Sequence, residues 1–390
     1  MTAFRARSQV LTIAFSDLAA DPRVHHQIAW LSPHYDVSAV GTAPPSLPDV
    51  AFHQVHVIPK RPLAKIASGL KLLLGFDDSF YWNHSHVQAA CRLLDGATPD
   101  LVIANDIDTL PLALRLAKGK PVLFDAHEYH PREFEDLWVW NLFYGPNRRR
   151  MCRTYMPRAS AVTTVCQGIA DEYARHFAVR PSVVMNLPDR WAGQPRPTSP
   201  DRVRMIHHGI ALPSRKLEQM IAMTVLLDDR FELDLMLIPG DTAFAGYLDE
   251  LRQIAKDYPK VRFLPPVPLL EVVPFISQYD IGLYLLEPAN FNQQMALPNK
   301  LFQFIQARLA VAIGPSPEMA RVVSETGCGL IADDFQPQTL AAALMALGAT
   351  QIDAFKRQSD LAAAQYCAEA NEAAFLDLVA KLLGPSARPS

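Results

Sequence analysis

The stretch MALPNKLFQFIQARLAVAIG, residues 295–314, joins a helical pattern to an apolar, strand-like run. Pro298 suits the first position of a helix, because that position needs no backbone N–H donor. The free N–H groups of the first turn then form an anion site that the helix dipole strengthens. Lys300 lies in the same turn, where a cation opposes the dipole, so its position suits a diphosphate held between the N–H groups and the ammonium. A solvated lysine on an ordinary core helix is the alternative interpretation.

Strand-like apolar runs flank this stretch, with helical segments between them. Alternating strands and helices predict an α/β protein with parallel sheets covered on both faces, that is, Rossmann-like doubly wound domains. The runs before residue 187 are VLTIAFS, DVSAVGT, FHQVHVI, LVIAND, PVLFDAH, AVTTV and SVVMN, and those between residues 204 and 333 are RMIHHG, LDLMLIPG, VRFLPPV, IGLYLLE, LAVAIG and GLIAD. The break between the two series predicts two such domains, facing a cleft.

The length of the chain agrees with two domains, since 390 residues exceed the roughly 250 to 300 at which a single core stops growing. The segment LPDRWAGQPRPTSPDR lacks periodicity and is rich in Pro and Arg, which predicts a hinge. Apolar residues at helical spacing near the end of the chain predict one long helix from about Asp353 to Leu383. The predicted parts are residues 1–187 for the first domain, 188–202 for the linker, 203–352 for the second domain and 353–390 for a C-terminal helix that packs across both.

The composition is that of an ordinary globular protein, with 49% hydrophobic and 20% charged residues. The 37 Lys and Arg residues against 40 Asp and Glu residues give a net charge of −3, so no overall positive field favours nucleic acid. The 5 cysteines stand singly, which favours a reducing compartment. The sequence contains no stretch of about 18 uninterrupted apolar residues and no signal-peptide cleavage region at its start, so we expect a cytoplasmic protein.

Residues that follow the predicted strands are the candidates for binding and chemistry, because ligands of open parallel sheets bind beyond the carboxyl ends of the strands. These residues are Ser16, Asp17, Asn105, Asp106, Asp125 to Glu128, Asn186, His207 to Gly209, Pro239, Gly240, Glu287, Pro288 and Gly314.

Four segments resemble those of family 4 glycosyltransferases and their bacterial polysaccharide relatives. PNKLFQFIQARLAVAI resembles the donor-site helix, and HHGIALPSRKLEQMI the first turn of the donor domain. SDLAADPRVHHQIAWL resembles the first βα turn, and VLFDAHEYHPRE the acceptor-side Asp-x-His-Glu segment. These segments occur in the family's order and span most of the chain. The resemblance implies the GT-B architecture, with an N-terminal acceptor-binding domain and a C-terminal domain for a nucleotide-diphosphate sugar.

The same resemblance implies a donor site in the C-terminal half. Arg215 and Lys216 would reach the donor diphosphate from the side opposite Lys300. Cations that face a helix N-terminus can stabilise the phosphate charge that grows as the glycosidic bond breaks, so we expect neither a cofactor nor a metal. For Arg215 and Lys216 the alternative is a solvated helix start. The implied donor-site residues are Gly209, Arg215, Lys216, Pro298, Asn299, Lys300 and Gln303.

His127 follows the strand-like run PVLFD and lies between Asp125 and Glu128 in sequence. The resemblance places this histidine close to the transferred sugar. It can donate a hydrogen bond to a sugar hydroxyl or to the departing phosphate while a neighbouring carboxylate fixes its ring. We therefore predict His127, Glu128 and Asp125 as catalytic residues, with a locally satisfied histidine as the alternative. Asp21 and Arg23 are either site residues or a helix cap pair.

The sequence departs from the family pattern at two positions. Family 4 enzymes typically carry two glutamates separated by seven residues, and the matching positions here are Met295 and Gln303. Gln303 can still bond a ribose hydroxyl, although without the strength that a charge adds. Met295 cannot, which leaves a role near the sugar to a neighbour. The neighbours considered are Glu287, Asn290, Asn292 and Gln293.

The function implied is transfer of a sugar from a UDP- or GDP-sugar to a glycan or lipid-linked saccharide in surface polysaccharide synthesis, with retention of configuration. The missing glutamates favour one alternative, an inactive glycosyltransferase-like subunit. A sugar epimerase or phosphorylase of the same architecture is another. A dinucleotide-dependent oxidoreductase is disfavoured, because VLTIAFSD runs into LAADPR rather than into G-x-G-x-x-G.

Two stretches that combine apolar and basic residues predict peripheral contact with an anionic membrane, at the inner face of the cytoplasmic membrane. In PLAKIASGLKLLLGF, residues 62–76, one helical face carries Leu63, Ile66, Ala67, Leu70 and Leu74. In LWVWNLFYGPNRRR, residues 137–150, aromatic residues stand beside Arg148, Arg149 and Arg150. The alternatives are a helix face buried in the core and an acceptor groove lined by the aromatic residues.

Overall fold

The computed structural model describes residues 7–384 except 59–61, 241–243 and 245, and for residues 62–66 it describes the backbone alone. The chain divides into two compact units. The N-terminal unit comprises Met1–Asn186, Asn290–Asn292 and Asn371–Ser390, and the C-terminal unit comprises Leu187–Ala289 and Gln293–Ala370.

Seven parallel strands form the sheet of the N-terminal unit, in the order β3-β2-β1-β4-β5-β6-β7. They are β1 (Gln9–Ile13), β2 (Asp36–Gly41), β3 (Ala51–Gln54), β4 (Leu101–Asn105), β5 (Val122–Asp125), β6 (Ala161–Thr164) and β7 (Ser182–Val183). Each predicted run of this series forms a strand. Every residue of the central strands β4 and β5 is buried, as expected for a sheet covered on both faces. The strand order reverses between β1 and β4, and a crevice for a ligand forms at such a point.

Six parallel strands form the sheet of the C-terminal unit, in the order β10-β9-β8-β11-β12-β13. They are β8 (Val203–Ala211), β9 (Phe231–Pro239), β10 (Val261–Leu264), β11 (Ile281–Tyr284), β12 (Ala310–Ile313) and β13 (Gly329–Ile331). These are the six predicted runs, and their spatial order is that of a dinucleotide-binding Rossmann sheet. The predicted fold class, two Rossmann-like doubly wound domains, is therefore confirmed. In this sheet the order reverses between β8 and β11.

Helices connect the strands in both units. They are α1 (Pro22–Leu31), α2 (Pro62–Leu73), α3 (Asp77–Trp82), α4 (Ser85–Leu93), α5 (Leu110–Ala117), α6 (Gly145–Tyr155), α7 (Gln167–Phe177), α8 (Glu218–Met223), α9 (Tyr247–Ile254), α10 (Val272–Ile276), α11 (Phe291–Gln294), α12 (Asn299–Gln306), α13 (Pro317–Thr326), α14 (Pro337–Met345), α15 (Ala349–Ala363) and α16 (Ala368–Leu383). Within the described residues, none of these helices is long and apolar enough to cross a membrane.

The predicted linker is bound to the C-terminal unit, which begins at Leu187. The backbone N–H of Trp191 donates to Oε1 of Gln306 at 3.0 Å, and the backbone N–H of Thr198 donates to Oδ1 of Asp353 at 2.8 Å. Arg308 also donates to the carbonyl of Trp191, at 2.9 Å. Because its backbone is tied at several points, this Pro-rich segment belongs structurally to the second sheet rather than standing as a free connector.

The prediction of one long C-terminal helix is wrong, because the structure has two helices, α15 and α16. The amide of Gln306 donates to the carbonyls of Ala363, at 2.7 Å, and Tyr366, at 2.9 Å. A side chain that satisfies carbonyls at a helix end lets the helix stop there. The chain then returns to the N-terminal unit, to which residues from Asn371 on belong. Helical periodicity continues through the break, which is why the sequence alone did not show it.

Candidate functional site

The sheet of the C-terminal unit opens at its switch point. β8 pairs with β11 at Ile206 and Gly282 but stays paired with β9 as far as Ala211 and Pro239. The residues of β8 beyond Ile206 therefore border the crevice that the reversed strand order creates.

Two neutral histidines stand at this opening. Nδ1 of His207 lies 2.8 Å from the carbonyl oxygen of Leu283. Since a carbonyl only accepts, Nδ1 carries the proton and Nε2 presents a lone pair. Burial, and then the nearby Lys300, lower the pKa of His207 well below its usual value and that of His208 to about 3. The Nε2 atoms of both rings are buried, and neither has a hydrogen-bond partner among the residues described.

Lys300 is the buried cation of this site. It lies in the first turn of α12 and is only 8% exposed. Its Nζ lies 5.0 Å from the centre of the Tyr284 ring, a cation–π contact, and has no hydrogen-bond partner within the described part of the chain. Burial, followed by the neighbouring charge of Arg215, lowers the pKa of Lys300 well below its usual value. A buried ammonium without hydrogen bonds is costly, and a bound anion would supply what it lacks.

Gly209 and Arg215 lie beside this ammonium. Gly209 has φ +124°, and a Cβ atom there would lie 3.0 Å from Nζ of Lys300 and 3.8 Å from Nη1 of Arg215. The backbone of β8 therefore approaches both cations at a position where a side chain would interfere. Arg215 is held by a hydrogen bond from Nη1 to the carbonyl of Ile210, at 2.9 Å. The structure thus brings together Gly209, Arg215 and Lys300, three of the implied donor-site residues.

The helix start differs from the prediction by one residue. Pro298 occupies the N-cap position with extended backbone angles, and α12 begins at Asn299. Proline is tolerated at either position because neither requires its missing N–H. Gln303 follows one turn after Lys300 on α12 and is buried.

Lys216 lies on the same loop as Arg215 but is engaged elsewhere. Its Nζ lies 2.7 Å from Oε2 of Glu287, and both side chains are about half exposed. Glu287 is one of the neighbours considered for the role of the missing glutamate at Met295. Glu287 thus forms an ion pair with Lys216, one of the implied donor-site residues.

Asn290 and Asn292, two more of those neighbours, are tied to the N-terminal unit. Nδ2 of Asn290 donates to Oδ1 of Asp136 at 3.1 Å. Asn292 is buried, and its amide accepts from the backbone N–H of Tyr129 at 2.8 Å and donates to the carbonyl of the same residue at 3.2 Å. These bonds use both the oxygen and the nitrogen of the Asn292 amide. Asn292 therefore has a structural role in this arrangement.

Arg23 lies among carboxylates at the carboxyl ends of strands in the N-terminal unit, and we call this group the strand-end cluster. Nη1 lies 2.9 Å from Oδ2 of Asp125, and Nη2 lies 3.0 Å from Oδ2 of Asp106 and 3.9 Å from Oδ2 of Asp21. Burial acts to lower the pKa of Arg23, but the three carboxylates outweigh it and raise the pKa. Asp21 also caps α1 by accepting from the backbone N–H of Val24 at 3.3 Å. The expected cap is therefore present for Asp21, while Arg23 joins the ends of β4 and β5.

Asp125, predicted as catalytic, has both carboxylate oxygens occupied. Oδ2 accepts from Arg23 and from Nε2 of Gln27, and Oδ1 accepts from the hydroxyl of Thr163 at 2.8 Å. The side chain is also nearly completely buried. In this arrangement Asp125 fixes Arg23 and the end of β5.

His127 and Glu128 are half-buried at the end of β5 and have shifted pKa values. Burial, followed by the charge of Arg23, lowers the pKa of His127, so the ring is neutral near pH 7. Burial and the neighbouring carboxylate of Glu133 raise the pKa of Glu128 to about 7. A carboxyl group that titrates near neutrality suits proton transfer, and a neutral imidazole can donate a hydrogen bond without carrying charge.

His130 and Glu133 belong to the same cluster and were missed from the sequence. The backbone N–H of Ile107 donates to Nε2 of His130 at 3.2 Å, which leaves the ring proton on Nδ1. That Nδ1 lies 3.5 Å from Oε2 of Glu133. The histidine in HEYHPRE, three residues after His127, was the available signal, but a sequence cannot tell which of two close histidines turns inward.

Two further ion pairs of the N-terminal unit were also missed. Nη2 of Arg148 lies 2.7 Å from Oδ2 of Asp108, and Nη2 of Arg150 lies 2.9 Å from Oδ1 of Asp77. Two of the three arginines predicted to attract an anionic membrane are therefore neutralised within the N-terminal unit, while Arg149 is exposed. The spacing of RRR suggested a free basic patch because the two aspartates lie far away in sequence.

Comparison with known proteins agrees with the predicted resemblance to family 4 glycosyltransferases. Residues 34–188, less than half of the chain, match the model of Glycosyltransferase Family 4. The match lies in the N-terminal half, where the resemblance placed the acceptor-side segment. No curated protein sequence matches the chain.

Solved glycosyltransferase structures share the fold of the whole chain. HepE of Anabaena, in complex with UDP-glucose, has a TM-score of 0.68 at 12% identity over 95% of this chain and 99% of that one. Sucrose-phosphate synthase from Thermosynechococcus elongatus has a TM-score of 0.70 at 14% identity, covering 96% and 99%. An α,α-trehalose-phosphate synthase (UDP-forming) from Burkholderia vietnamiensis has a TM-score of 0.65 at 11% identity, covering 96% and 99%. The protein thus has the GT-B fold, as the resemblance implied.

Proposed function

We propose that this protein transfers a sugar from a nucleotide-diphosphate sugar to a saccharide acceptor. The observation that carries this proposal is the buried ammonium of Lys300, which lies beside the backbone of Gly209 and has no hydrogen-bond partner in the described part of the chain. A structure without its ligand keeps such a cation only at a free energy cost, which the binding of an anion offsets. The N-terminus of α12 supplies further N–H donors for that anion.

The ligand class follows from this geometry and from the similar proteins. A diphosphate suits two cations, Lys300 and Arg215, that flank one stretch of backbone. Since HepE was solved with UDP-glucose and the trehalose-phosphate synthase is UDP-forming, we assign a UDP-sugar as the donor, with a GDP-sugar as the alternative. Gln303, buried on α12, is assigned to a ribose hydroxyl.

Catalysis would rest on stabilising the leaving diphosphate. As the bond to the sugar breaks, negative charge grows on the phosphate oxygens, and preorganised cations lower the energy of that state. We therefore propose that transfer needs no metal, which predicts full activity in the presence of EDTA. Retention of configuration follows the family trend and belongs to the same proposal.

We assign the acceptor to the N-terminal unit, with His127 and Glu128 as the residues that meet it. Glu128, whose pKa is about 7, can exchange a proton with an acceptor hydroxyl, and His127 can donate a hydrogen bond to the transferred sugar. The acceptor class is a glycan or a lipid-linked saccharide of a surface polysaccharide. A cytoplasmic protein would meet the lipid-linked form at the inner face of the membrane.

Membrane contact, in this proposal, depends on apolar rather than basic side chains. Leu74, Phe76, Leu137 and Trp138 are all more than half exposed, whereas Arg148 and Arg150 are paired with carboxylates. Binding to vesicles should therefore depend little on their content of anionic lipid. Triple replacement of the arginines would test folding rather than membrane attraction, because two of them hold the N-terminal unit together.

A nucleotide screen followed by product analysis tests the function. UDP, GDP, CMP and ADP are each added to the purified protein, and the shift in unfolding temperature is measured, because a ligand that binds only the folded state stabilises it. We expect UDP or GDP to give the largest shift. The matching nucleotide sugar is then incubated with saccharide acceptors, and the products are analysed for a new glycosidic bond. Stabilisation by none of the nucleotides would contradict the donor site; binding without any new bond would favour an inactive subunit or an epimerase.

A further inference from the structure

The N-terminal unit contains a large cavity between two segments that are distant in sequence. Its volume is about 1,070 Å³, and its walls come from α2, from the start of α4 and from residues 139–148. At the contact between α2 and the second segment, a Cβ atom on Gly69 would lie 3.3 Å from the ring of Phe143. The two apolar stretches that suggested membrane contact therefore pack together and bound one space.

Most of the cavity wall is apolar, and much of it is accessible. Val57, Ile58, Leu70, Leu73 and Val139 line the cavity, and each is between 40% and 64% exposed. Apolar side chains gathered in one concave, open surface are unusual for a free protein and mark a binding site. The volume exceeds the range of roughly 300 to 1,000 Å³ that is typical of small-molecule pockets.

The lining of the cavity also includes a charged pair. Asp108 and Arg148 form a two-fold ion pair there, and Nε of Arg148 is buried with no hydrogen-bond partner among the described residues. Burial acts to raise the pKa of Asp108, but the guanidinium of Arg148 lowers it. The backbone N–H of Ile107, the residue before Asp108, donates to Nε2 of His130 at 3.2 Å. Asp106, two residues before Asp108, is paired with Arg23. This charged part of the cavity lining thus adjoins the residues assigned to the acceptor.

We propose that this cavity binds the hydrocarbon chain of an amphiphilic acceptor, whose polar head lies at Asp108 and Arg148. The proposal rests on the function proposed above and narrows its acceptor class to one with an apolar chain. A glycan without a chain would leave the leucines and valines of the wall in contact with water. A membrane surface would not require a concave space, and the paired charge of Arg148 gives anionic lipid no particular attraction.

Alkyl glucosides of increasing chain length test this inference directly. Butyl, hexyl and octyl glucoside, each below the concentration at which it forms micelles, are titrated into the full-length protein in a calorimeter without nucleotide. Each methylene that enters the cavity should raise the affinity about fourfold. The variant Leu70→Gln/Leu73→Gln should bind octyl glucoside at least tenfold more weakly. Both leucines are more than half exposed, so this variant keeps its fold, which thermal unfolding verifies.

The matched control is Leu93→Gln, which changes an equally exposed leucine of the same unit that does not line the cavity. It should bind octyl glucoside like the unchanged protein. An affinity independent of chain length, equal binding by the double variant, or binding to vesicles but to none of the monomeric glucosides would each overturn the proposal. UDP binding is measured on the same samples. If the unchanged protein does not bind UDP, the proposed donor function is refuted. The result for the cavity still stands, because the glucoside titration contains no nucleotide.

Discussion

Arg23 in the N-terminal unit and Lys300 in the C-terminal unit are both largely buried near the switch point of their sheet, and the two cations differ in what surrounds them. The side chain of Arg23 is 10% exposed and lies within 3.0 Å of two carboxylates, those of Asp106 and Asp125. Lys300 is 8% exposed and has neither a carboxylate nor any other hydrogen-bond partner within the described residues. A compensated cation holds a structure together, whereas an uncompensated one gains its missing interactions from a bound anion, and this second role is the one that we propose for Lys300.

These different surroundings also explain why the pKa of Arg23 is raised and the pKa of Lys300 is lowered. Carboxylates raise the pKa of Arg23 against the effect of burial, whereas burial and Arg215 both lower the pKa of Lys300. Arg23 therefore stays charged, whereas we expect the charge on Lys300 to depend on whether an anion is bound. Substitutions at the two cations distinguish these two situations.

Removal of the compensated cation should have the largest effect on stability. In Arg23→Ala the buried carboxylate of Asp125 loses its ion pair, which typically costs about 3–5 kcal/mol of the free energy of unfolding. Urea unfolding of the purified protein measures this change. Arg252→Ala, which breaks an exposed pair with Asp249, should cost no more than about 1 kcal/mol. Equal effects of the two substitutions would show that Arg23 is not a structural centre.

His127→Ala should lower turnover about a hundredfold, since a positioned group that donates or accepts a proton typically contributes a factor of about 10² to 10⁴. Donor affinity should change by less than about threefold, because the donor is assigned to the C-terminal unit and contacts made only in the transition state appear in kcat. Steady-state kinetics with the identified donor and acceptor give both quantities. His176→Ala, at a half-exposed histidine of the same unit, is the control. Unchanged turnover would return His127 to a locally satisfied histidine.

Lys300→Met should weaken donor binding about ten- to a hundredfold, since a hydrogen bond to a charged group contributes roughly 1.5 to 3 kcal/mol. In contrast to Arg23→Ala, it should leave the free energy of unfolding of the ligand-free protein unchanged or raise it, because it removes a buried polar group that has no hydrogen-bond partner among the described residues. Calorimetry with UDP-glucose and urea unfolding measure the two effects. Lys381→Met, at an exposed lysine, should change neither. A lower free energy of unfolding together with unchanged UDP-glucose affinity would show that Lys300, like Arg23, has a structural role.

Donor affinity should also depend on pH. The free protein has a Lys300 pKa well below the usual value, and the bound diphosphate raises it, so binding takes up a proton above the pKa of the free protein. UDP-glucose affinity is therefore expected to be constant below that pKa and to fall by up to about tenfold per pH unit above it, until the pKa of the complex is reached. Calorimetric titrations between pH 6 and about 9.5 would show the slope. The same slope in Lys300→Met would assign the titration to another group.

The smallest effect is expected at Lys216. Its ammonium forms a half-exposed ion pair with Glu287, and such pairs contribute about 0 to 1 kcal/mol. Lys216→Ala should therefore change UDP-glucose affinity by less than about fivefold. A loss of tenfold or more would mean that Lys216 leaves Glu287 for the donor diphosphate, as the resemblance implies.

The sequence predicted the strands well because each strand is apolar, short and bounded by turn residues, and these properties are local. β8 and β11 could be placed from RMIHHG and IGLYLLE alone. Lys300 could also be identified locally, since its position in a helix start opposed the dipole preference. The C-terminal helix was predicted less well. Its break depends on the amide of Gln306, which lies 57 residues before Ala363 in the chain.

The sequence by itself determined that the protein has two Rossmann-like α/β domains, because periodicity is written along the chain, and the order of its motifs gave the resemblance to glycosyltransferases. Only the tertiary structure decided which charges are free. It paired Arg148 with Asp108 and Lys216 with Glu287, and within the residues that the structure describes it left Lys300 without a hydrogen-bond partner. Electrostatic compensation depends on distances of a few ångströms between residues that are remote in sequence, and desolvation depends on what packs around them. Neither quantity can be read from the order of residues.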